Sequence, residues 1–332
     1  MFSINMLSKL KRSRVKYLIH LPGDYNKSSR YLRHWSARFL RSSVKFSVLV
    51  RDYDFYLKIK EELRFIDFVY AKSPLDVEGV ISEFPSLKTI VYLNNFAMNI
   101  HTLRFNNYEH VFIGNKNTDL YSIPTNYYKA YDSIYVSGCF AMDKFKESNV
   151  YSSGVKFESI GVDIPVGNCD SNDVSLVISD GCLVDRSLYS TLMSLVANGV
   201  RNVTLICNNK IQDRLRENII EFEHMFDLNI FLTNEINSLL SKKMVIVDYE
   251  NVTLDHIYSG SPLYIFRDEN YKGSPKDYRY FFSDLPFVNT VDGRANNISI
   301  EIEKFSRSHF DQWKAFLLNN FDPDNFAGCF GK

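Results

Sequence analysis

Residues 15–50 read VKYLIHLPGDYNKSSRYLRHWSARFLRSSVKFSVLV. Residues 15–21 form an apolar run of strand length. Pro22, Gly23 and Asp24 break it with turn chemistry. Ser28 or Ser29 can cap a helix that continues to about Arg41. Within that helix Tyr31, Leu32, Trp35 and Phe39 share one side, and Arg30, Arg33, Arg38 and Arg41 occupy the rest. The pattern suits a core-packed first helix, and an interfacial membrane helix would show it too. Residues 45–50 are a second apolar run. A strand, a crossover helix and a second strand with no polar alternation describe parallel pairing in a sheet covered on both faces.

The same rhythm extends outward. Strands are expected over 65–70, 89–93, 110–113 and 133–136, with helices over 54–63, 75–84 and 98–106. It pauses at residues 161–173, GVDIPVGNCDSND, whose Gly, Asp, Asn and Pro mark a linker. A second set follows, with strands over 174–179, 202–207, 229–232, 244–247 and 262–266. Its helices are expected over 185–198, 211–223, 235–240 and 252–258. A last helix is expected over 306–319, where Phe310, Trp313, Phe316 and Leu317 fall at helical spacing. The fold class expected is α/β, two Rossmann-like domains with parallel sheets facing a cleft. The domains run over residues 1–165 and 166–305, and residues 306–332 return to the first.

Composition narrows the class. A chain of 332 residues holds two domains with cores of their own. Hydrophobic residues are 45% and charged residues 23%, ordinary globular usage. The basic start is followed only by the short run at residues 17–21, so no signal peptide is expected. No apolar stretch reaches the roughly 18 residues of a membrane span. Five scattered cysteines without a CxxC pair fit a reducing cytoplasm and argue against structural zinc. Neither GxxxxGK[ST] nor GxGxxG occurs, and the seven histidines show no metal spacing. Net charge is zero, yet residues 1–51 carry twelve Lys or Arg against one acid, Asp24, a net +11. That front end suits an anionic membrane surface, an anionic acceptor or a solvated face, and no specific nucleic acid is expected.

Two windows carry a resemblance. Residues 109–142 read EHVFIGNKNTDLYSIPTNYYKAYDSIYVSGCFAM, and residues 244–271 read MVIVDYENVTLDHIYSGSPLYIFRDENY. They resemble the CDP-glycerol glycerophosphotransferases of teichoic-acid-like polymer synthesis, which have the GT-B fold. In the first window the family's HGxSDK box reads Asn115-Lys116-Asn117-Thr118-Asp119-Leu120, with Tyr131, Asp132 and Gly138 following in register. In the second, TDYSSxxFD reads Val247-Asp248-Tyr249-Glu250-Asn251-Val252-Thr253-Leu254-Asp255, with Pro262 downstream.

The resemblance implies a nucleotide-dependent glycosyl or polyol-phosphate transferase of the cell envelope or capsule. It implies a CDP-, CMP- or UDP-activated donor and a glycan or polyol-phosphate acceptor, lipid-linked or free. No cofactor or metal is expected, because helix termini and basic groups can neutralise a leaving phosphate. The expected place is the cytoplasm, with peripheral contact on the inner membrane face. Candidate catalytic residues are Asn115, Thr118 and Asp119. Candidate donor-binding residues are Asp180, Gly181, Arg186, Asp248, Tyr249, Glu250, Asn251 and Asp255, at or just after the carboxyl ends of expected strands or on the helices that follow. Gly23 and Asp24, after the first strand, are the acceptor candidates.

The departures from the family are chemical. Asn115 stands where the family has the histidine proposed as general base, and a neutral amide takes up no proton at pH 7. Leu120 replaces the motif lysine. A second family histidine follows a strand of the second domain, where this chain reads Leu205-Ile206-Cys207-Asn208-Asn209. Glu250 and Asn251 replace the paired serines. A carboxylate there competes with pyrophosphate, and it can instead accept hydrogen bonds from ribose hydroxyls. Asp119 is either the base or the cap of its loop. The alternative function is a family member without chemistry, a binding or scaffolding subunit of a polymer-synthesis complex.

Overall fold

The computed structural model describes residues 12–114, 125–146, 150–151, 154–161, 173–178, 186–234, 244–248, 261, 263–268, 288–291 and 322–331. The chain divides into two compact units, and the C-terminal helix belongs to the first.

In unit 1 the order is β1 (Tyr17–Leu21), α1 (Tyr25–Arg41), β2 (Phe46–Val50), α2 (Tyr53–Glu62), β3 (Asp67–Tyr70), α3 (Pro74–Ser82) and β4 (Thr89–Tyr92). A 3₁₀ turn at Ala97–Asn99 runs into the one-turn α4 (Ile100–Leu103), then come β5 (Glu109–Phe112), β6 (Ser133–Val136), α5 (Cys139–Lys146) and β7 (Lys156–Ser159). All seven strands are parallel, in the order β3-β2-β1-β4-β5-β6-β7. The order reverses between β1 and β4, which makes their carboxyl ends the topological switch point.

Alternation along the strands sends side chains to two cores. Tyr17, Ile19 and Leu21 join Val48, Val50 and Val91 on one face, under Trp35 and Phe39 of α1 and Phe55 and Ile59 of α2. Leu18, Leu49, Ile90 and Phe112 face the other way, against Val77, Val80 and Ile81 of α3 and Phe145 of α5. β1 and β2 are buried at every position. Leu32, Trp35 and Phe39 are fully buried, so α1 is a core-packed helix.

Local chemistry sets the helix starts. Asp52 accepts from the Phe55 amide at 2.7 Å and caps α2. Ser73 and Asp76 form a reciprocal capping box with Pro74 at the first helical position of α3. α1 begins at Tyr25, three residues before the expected serine cap. The Asp24 carbonyl accepts from the Ser28 amide at 3.0 Å, which puts Asp24 at the N-cap and buries Ser28 and Ser29 inside the helix. The helix expected over 98–106 shrinks to the turn and α4, because the chain must reach β5 by Glu109. α5 and β7 lie where neither was expected.

Unit 2 repeats the plan: β8 (Asp173–Val177), α6 (Arg186–Ala197), β9 (Asn202–Ile206), α7 (Asn209–Phe226), β10 (Asn229–Thr233), β11 (Met244–Asp248), β12 (Leu263–Asp268) and β13 (Val288–Val291). Its sheet is parallel in the order β10-β9-β8-β11-β12-β13, with the switch point between β8 and β11. Leu188, Leu192 and Leu195 of α6 and Ile211, Leu215 and Ile219 of α7 pack on Val174, Leu176, Val203 and Leu205. Both units are thus Rossmann-like, as the strand–helix alternation predicts. The expected helices over 235–240, 252–258 and 306–319, and linker residues 162–172, lie outside the described residues.

The last described element, α8 (Pro323–Gly331), packs on the first face of unit 1. Phe326 stacks on Trp35 at 6.1 Å and 13° and meets Phe39 edge-on at 5.0 Å. Phe330 lies 5.3 Å from both Tyr17 and Tyr135. Among the described residues no helix is long and apolar enough to cross a membrane.

Candidate functional site

The switch point of unit 1 is assembled from the turns that follow β1 and β4. Gly23 ends the first, and Asn94, Asn95 and Phe96 form the second. A Cβ at position 23 would lie 2.2 Å from Ser28 Oγ and 2.7 Å from Phe96 Cε2, so only glycine lets the two turns close on each other. Asp24 is exposed, and Gly23, Asn95 and Phe96 are partly exposed. The accessible surface is therefore a carboxylate, an amide and the side of an aromatic ring, a mixture suited to a polyhydroxylated ligand.

Behind that surface the polar groups are ordered. Asn94 Nδ2 donates to Ser28 Oγ at 3.4 Å, and Asn99 Nδ2 donates to the Asn94 carbonyl at 2.7 Å and to Tyr131 Oη at 2.9 Å. Tyr131 Oη donates to Asn95 Oδ1 at 2.9 Å, which fixes that amide. Asn94 and Asn99 are buried, and their Oδ1 atoms have no hydrogen-bond partner among the described residues. Buried acceptors left unpaired cost stability, and folded proteins keep few of them.

A second layer holds the strand ends. His20 Nδ1 lies 3.0 Å from Thr102 Oγ1, and Tyr92 Oη lies 3.0 Å from the same hydroxyl and 2.8 Å from His110 Nδ1. His110 Nε2 is 3.2 Å from the Phe105 carbonyl, which can only accept, so Nε2 carries the hydrogen and Nδ1 accepts from Tyr92. Burial pushes His20 well below the usual imidazole range, helped by Arg51 and His101, and lowers His110 too. Burial raises the Tyr92 and Tyr131 phenols, so both stay protonated donors. Nearby, Arg51 ties the end of β2 to that of β3 through the Ala71 and Lys72 carbonyls, at 2.6 and 2.8 Å.

β5 leads to the loop with the catalytic candidates. Gly114 closes the strand at φ 67°, a left-handed conformation that favours glycine. Trp35 Nε1 donates to its carbonyl at 2.8 Å. Asn115, Thr118 and Asp119 lie outside the described residues. Tyr131 and Asp132 have structural work: Tyr131 supports Asn95, and Asp132 Oδ2 accepts from the His110 amide at 2.8 Å.

In unit 2, Asp248 ends β11 beside β8, at the carboxyl edge of the switch point. Arg186 is the first residue of α6, whose N-terminus follows β8 on that edge. The side chains of both, and Asp180, Gly181, Tyr249, Glu250, Asn251 and Asp255 entirely, lie outside the described residues. After β9, Asn208 accepts from the Ile211 amide at 3.0 Å and caps α7. Burial pushes the Cys207 thiol up to about 11, which leaves it protonated and inert. Among the described residues no three His, Cys, Asp or Glu side chains gather as a metal site.

Sequence reasoning singled out Gly23 and Asp24 and missed Asn94, Asn95, Phe96 and Asn99. The available signal was the run Leu93-Asn94-Asn95-Phe96, two adjacent amides directly after an apolar strand.

No family model matches the chain, and no curated protein matches it by sequence. Solved structures match its fold over nearly the whole length. One is the wall teichoic acid polymerase TagF in a CDPG soak, with TM-score 0.56 and 11% identity over 100% of this chain and 97% of that one. Another is a UDP-GlcNAc 2-epimerase from Neisseria meningitidis bound to UDP-GlcNAc, with TM-score 0.57 and 10% identity over 95% and 98%. A glycosyltransferase from Rickettsia africae matches with TM-score 0.52 and 11% identity over 95% and 96%. The fold is of the GT-B type, two Rossmann-like units with parallel sheets.

Proposed function

We propose that the chain is a nucleotide-dependent transferase that moves a glycosyl or polyol-phosphate group from an activated donor to an acceptor hydroxyl. The carrying observation is that each Rossmann-like sheet has its own switch point, with Asp24, Asn95 and Phe96 at the carboxyl edge of the first and the backbone of Asp248 ending β11 at that of the second. Ligands of open α/β sheets bind at such places. Unit 1 offers Asp24, Asn95 and Phe96 to an acceptor rich in hydroxyls. Unit 2 offers Asp248 and the N-terminus of α6 to a donor with a CDP, CMP or UDP leaving group. The structural likeness to a teichoic acid polymerase soaked with CDPG and to an epimerase bound to UDP-GlcNAc supports a nucleotide-activated donor. Envelope or capsule polymer assembly, at the inner membrane face, is the setting this reading gives it. The reading requires no metal.

Asp119 is the proposed general base, since Asn115 cannot serve. With an ordinary pKa of about 3.9 it needs burial to work near neutrality. Titration calorimetry with CDP, CMP and UDP compounds tests the donor half, and binding of none of them refutes it. In a transfer assay Asp119→Asn should cost on the order of a hundredfold. A fully active variant removes Asp119 from the mechanism.

A second reading, a binding subunit without chemistry, is favoured by one observation: Asn115 replaces one family histidine, and the segment after β9 where the family has the other holds none, its Asn208 serving as a helix cap. It predicts donor binding with no turnover, and Asn115→His that restores none.

A further inference from the structure

The basic front end of the sequence does not stay together in the fold. Arg12 pairs with Asp67 at 3.2 Å and with Glu83. Arg33 pairs with Glu62 at 2.6 Å. Arg38 donates to the His34 carbonyl at 2.7 Å and lies over Trp35, and Arg51 is bound to carbonyls inside the sheet edge. Arg41 makes other contacts, the side chains of Lys9, Lys11, Lys27 and Arg30 lie outside the described residues, and Arg14, Lys16 and Lys45 remain. All three are exposed, and none has an ion-pair partner among the described residues.

Arg14 and Lys45 rim an apolar groove at the amino edge of the unit 1 sheet, the edge opposite Gly23 and Asn95, and Lys16 stands next to it. The groove has a volume of about 700 Å³, and a smaller one of about 310 Å³ adjoins it, sharing Arg14 and Lys45 and adding Lys16. Val44, Phe46 and Ile66 line the larger groove. Leu40 and Phe65 stand beside them 45% and 60% exposed, unusual for side chains so apolar. The one acid of the lining, Asp67, is occupied by Arg12 and by Ser47 Oγ at 2.9 Å.

We propose that this groove and its rim form the surface by which the protein sits on an anionic phospholipid bilayer. The inference rests on the envelope setting proposed above and adds the docking face. Cations at headgroup level with apolar side chains just below them are what an interfacial contact requires. A second copy of the chain fits worse, because a two-fold contact sets the same patch against itself and brings the three cations onto their equals. A nucleic acid would use the cations and leave Leu40 without a partner.

The placement constrains the acceptor. Amino and carboxyl edges of a five-residue strand lie roughly 17 Å apart, so docking at one edge holds the switch point well off the bilayer. The acceptor that reaches it is then an extended chain rather than a headgroup flush with the membrane.

The test is sedimentation of the full chain with phosphatidylcholine vesicles, with and without phosphatidylglycerol, at low and high salt. The expected result is salt-sensitive binding only to the anionic vesicles. R14Q/K16Q/K45Q should weaken it about a hundredfold, near fivefold per cation. L40S/F65S should weaken it about tenfold or more at unchanged charge. Urea unfolding of each variant checks that the unit stays folded. Equal binding to neutral vesicles, or full binding by either folded variant, overturns the proposal. So does a wild-type dimer in sedimentation velocity that L40S/F65S dissolves, which would make the groove a self-interface. Donor calorimetry on the same variants should be unchanged, so a failed donor screen and a failed vesicle assay remain separate results.

Discussion

Phe326 to alanine tests whether α8 is part of the unit 1 core. Phe326 is fully buried among Trp35, Phe39 and Phe330, with ring centroids 6.1, 5.0 and 4.8 Å away. A buried Phe removes about 150–250 Å² from water. At about 25 cal/mol per Å² that is about 4–6 kcal/mol, and core Phe→Ala changes cost about 3–5 kcal/mol. We expect a loss of about 4 kcal/mol, a large part of the about 5–15 kcal/mol that holds a domain folded. With a urea slope of about 2 kcal/mol per molar, the midpoint of unit 1 should fall by about 2 M. Trp35 is the reporter, since the ring that stacks on it is the one removed. The chain has two tryptophans, so the assay is run in a Trp313→Phe background to isolate its signal. The double change Phe326→Ala with Phe330→Ala should cost less than the sum, because the two rings touch. A midpoint shift below about 0.5 M would refute the packing argument and leave α8 as a loosely attached segment.

Gly23→Ala should destabilise unit 1 by about 1–3 kcal/mol, because the new methyl displaces Ser28 and Phe96; an unchanged melting temperature contradicts the close contact. The pH dependence follows from His20 and His110. Both have lowered pKa values in the fold, so below the ordinary value of about 6.5 the unfolded chain takes up protons that the folded unit refuses. Stability should therefore fall as pH drops from about 6.5 toward 5, by up to about 1.4 kcal/mol per pH unit for each histidine. His20→Asn should flatten that slope, and an unaltered urea-midpoint profile would remove His20 as its cause. Asn208→Ala should cost about 1 kcal/mol through loss of the α7 cap, and equal stability in urea would show that the cap contributes nothing.

The sequence by itself determined whatever is settled within a few residues. Strands such as Tyr17–Leu21 and Phe46–Val50 are legible because a parallel strand covered on both faces has no polar side to show. Caps at Asp52, Ser73 and Asn208 bond amides three residues on and are local devices too, although it was the structure that identified them. Where a cap competes with a turn the local signal fails, and α1 starts at Tyr25 because the Asp24 carbonyl, not a serine, begins the helix. Only the tertiary structure decided which distant segments meet. β1 lies between β2 and β4, and that neighbour choice brings Gly23 against Phe96, 72 residues lying between them in the chain. It decided that α8 closes the core of unit 1, that Arg38 and Arg51 are buried, that Arg12 and Arg33 pair with acids, and that Arg14, Lys16 and Lys45 stay on the surface. The physical reason is that local hydrogen bonds and side-chain periodicity are written in neighbouring residues. Strand order and long-range packing are instead set by closing loops around a shared core, a term that depends on the whole chain at once.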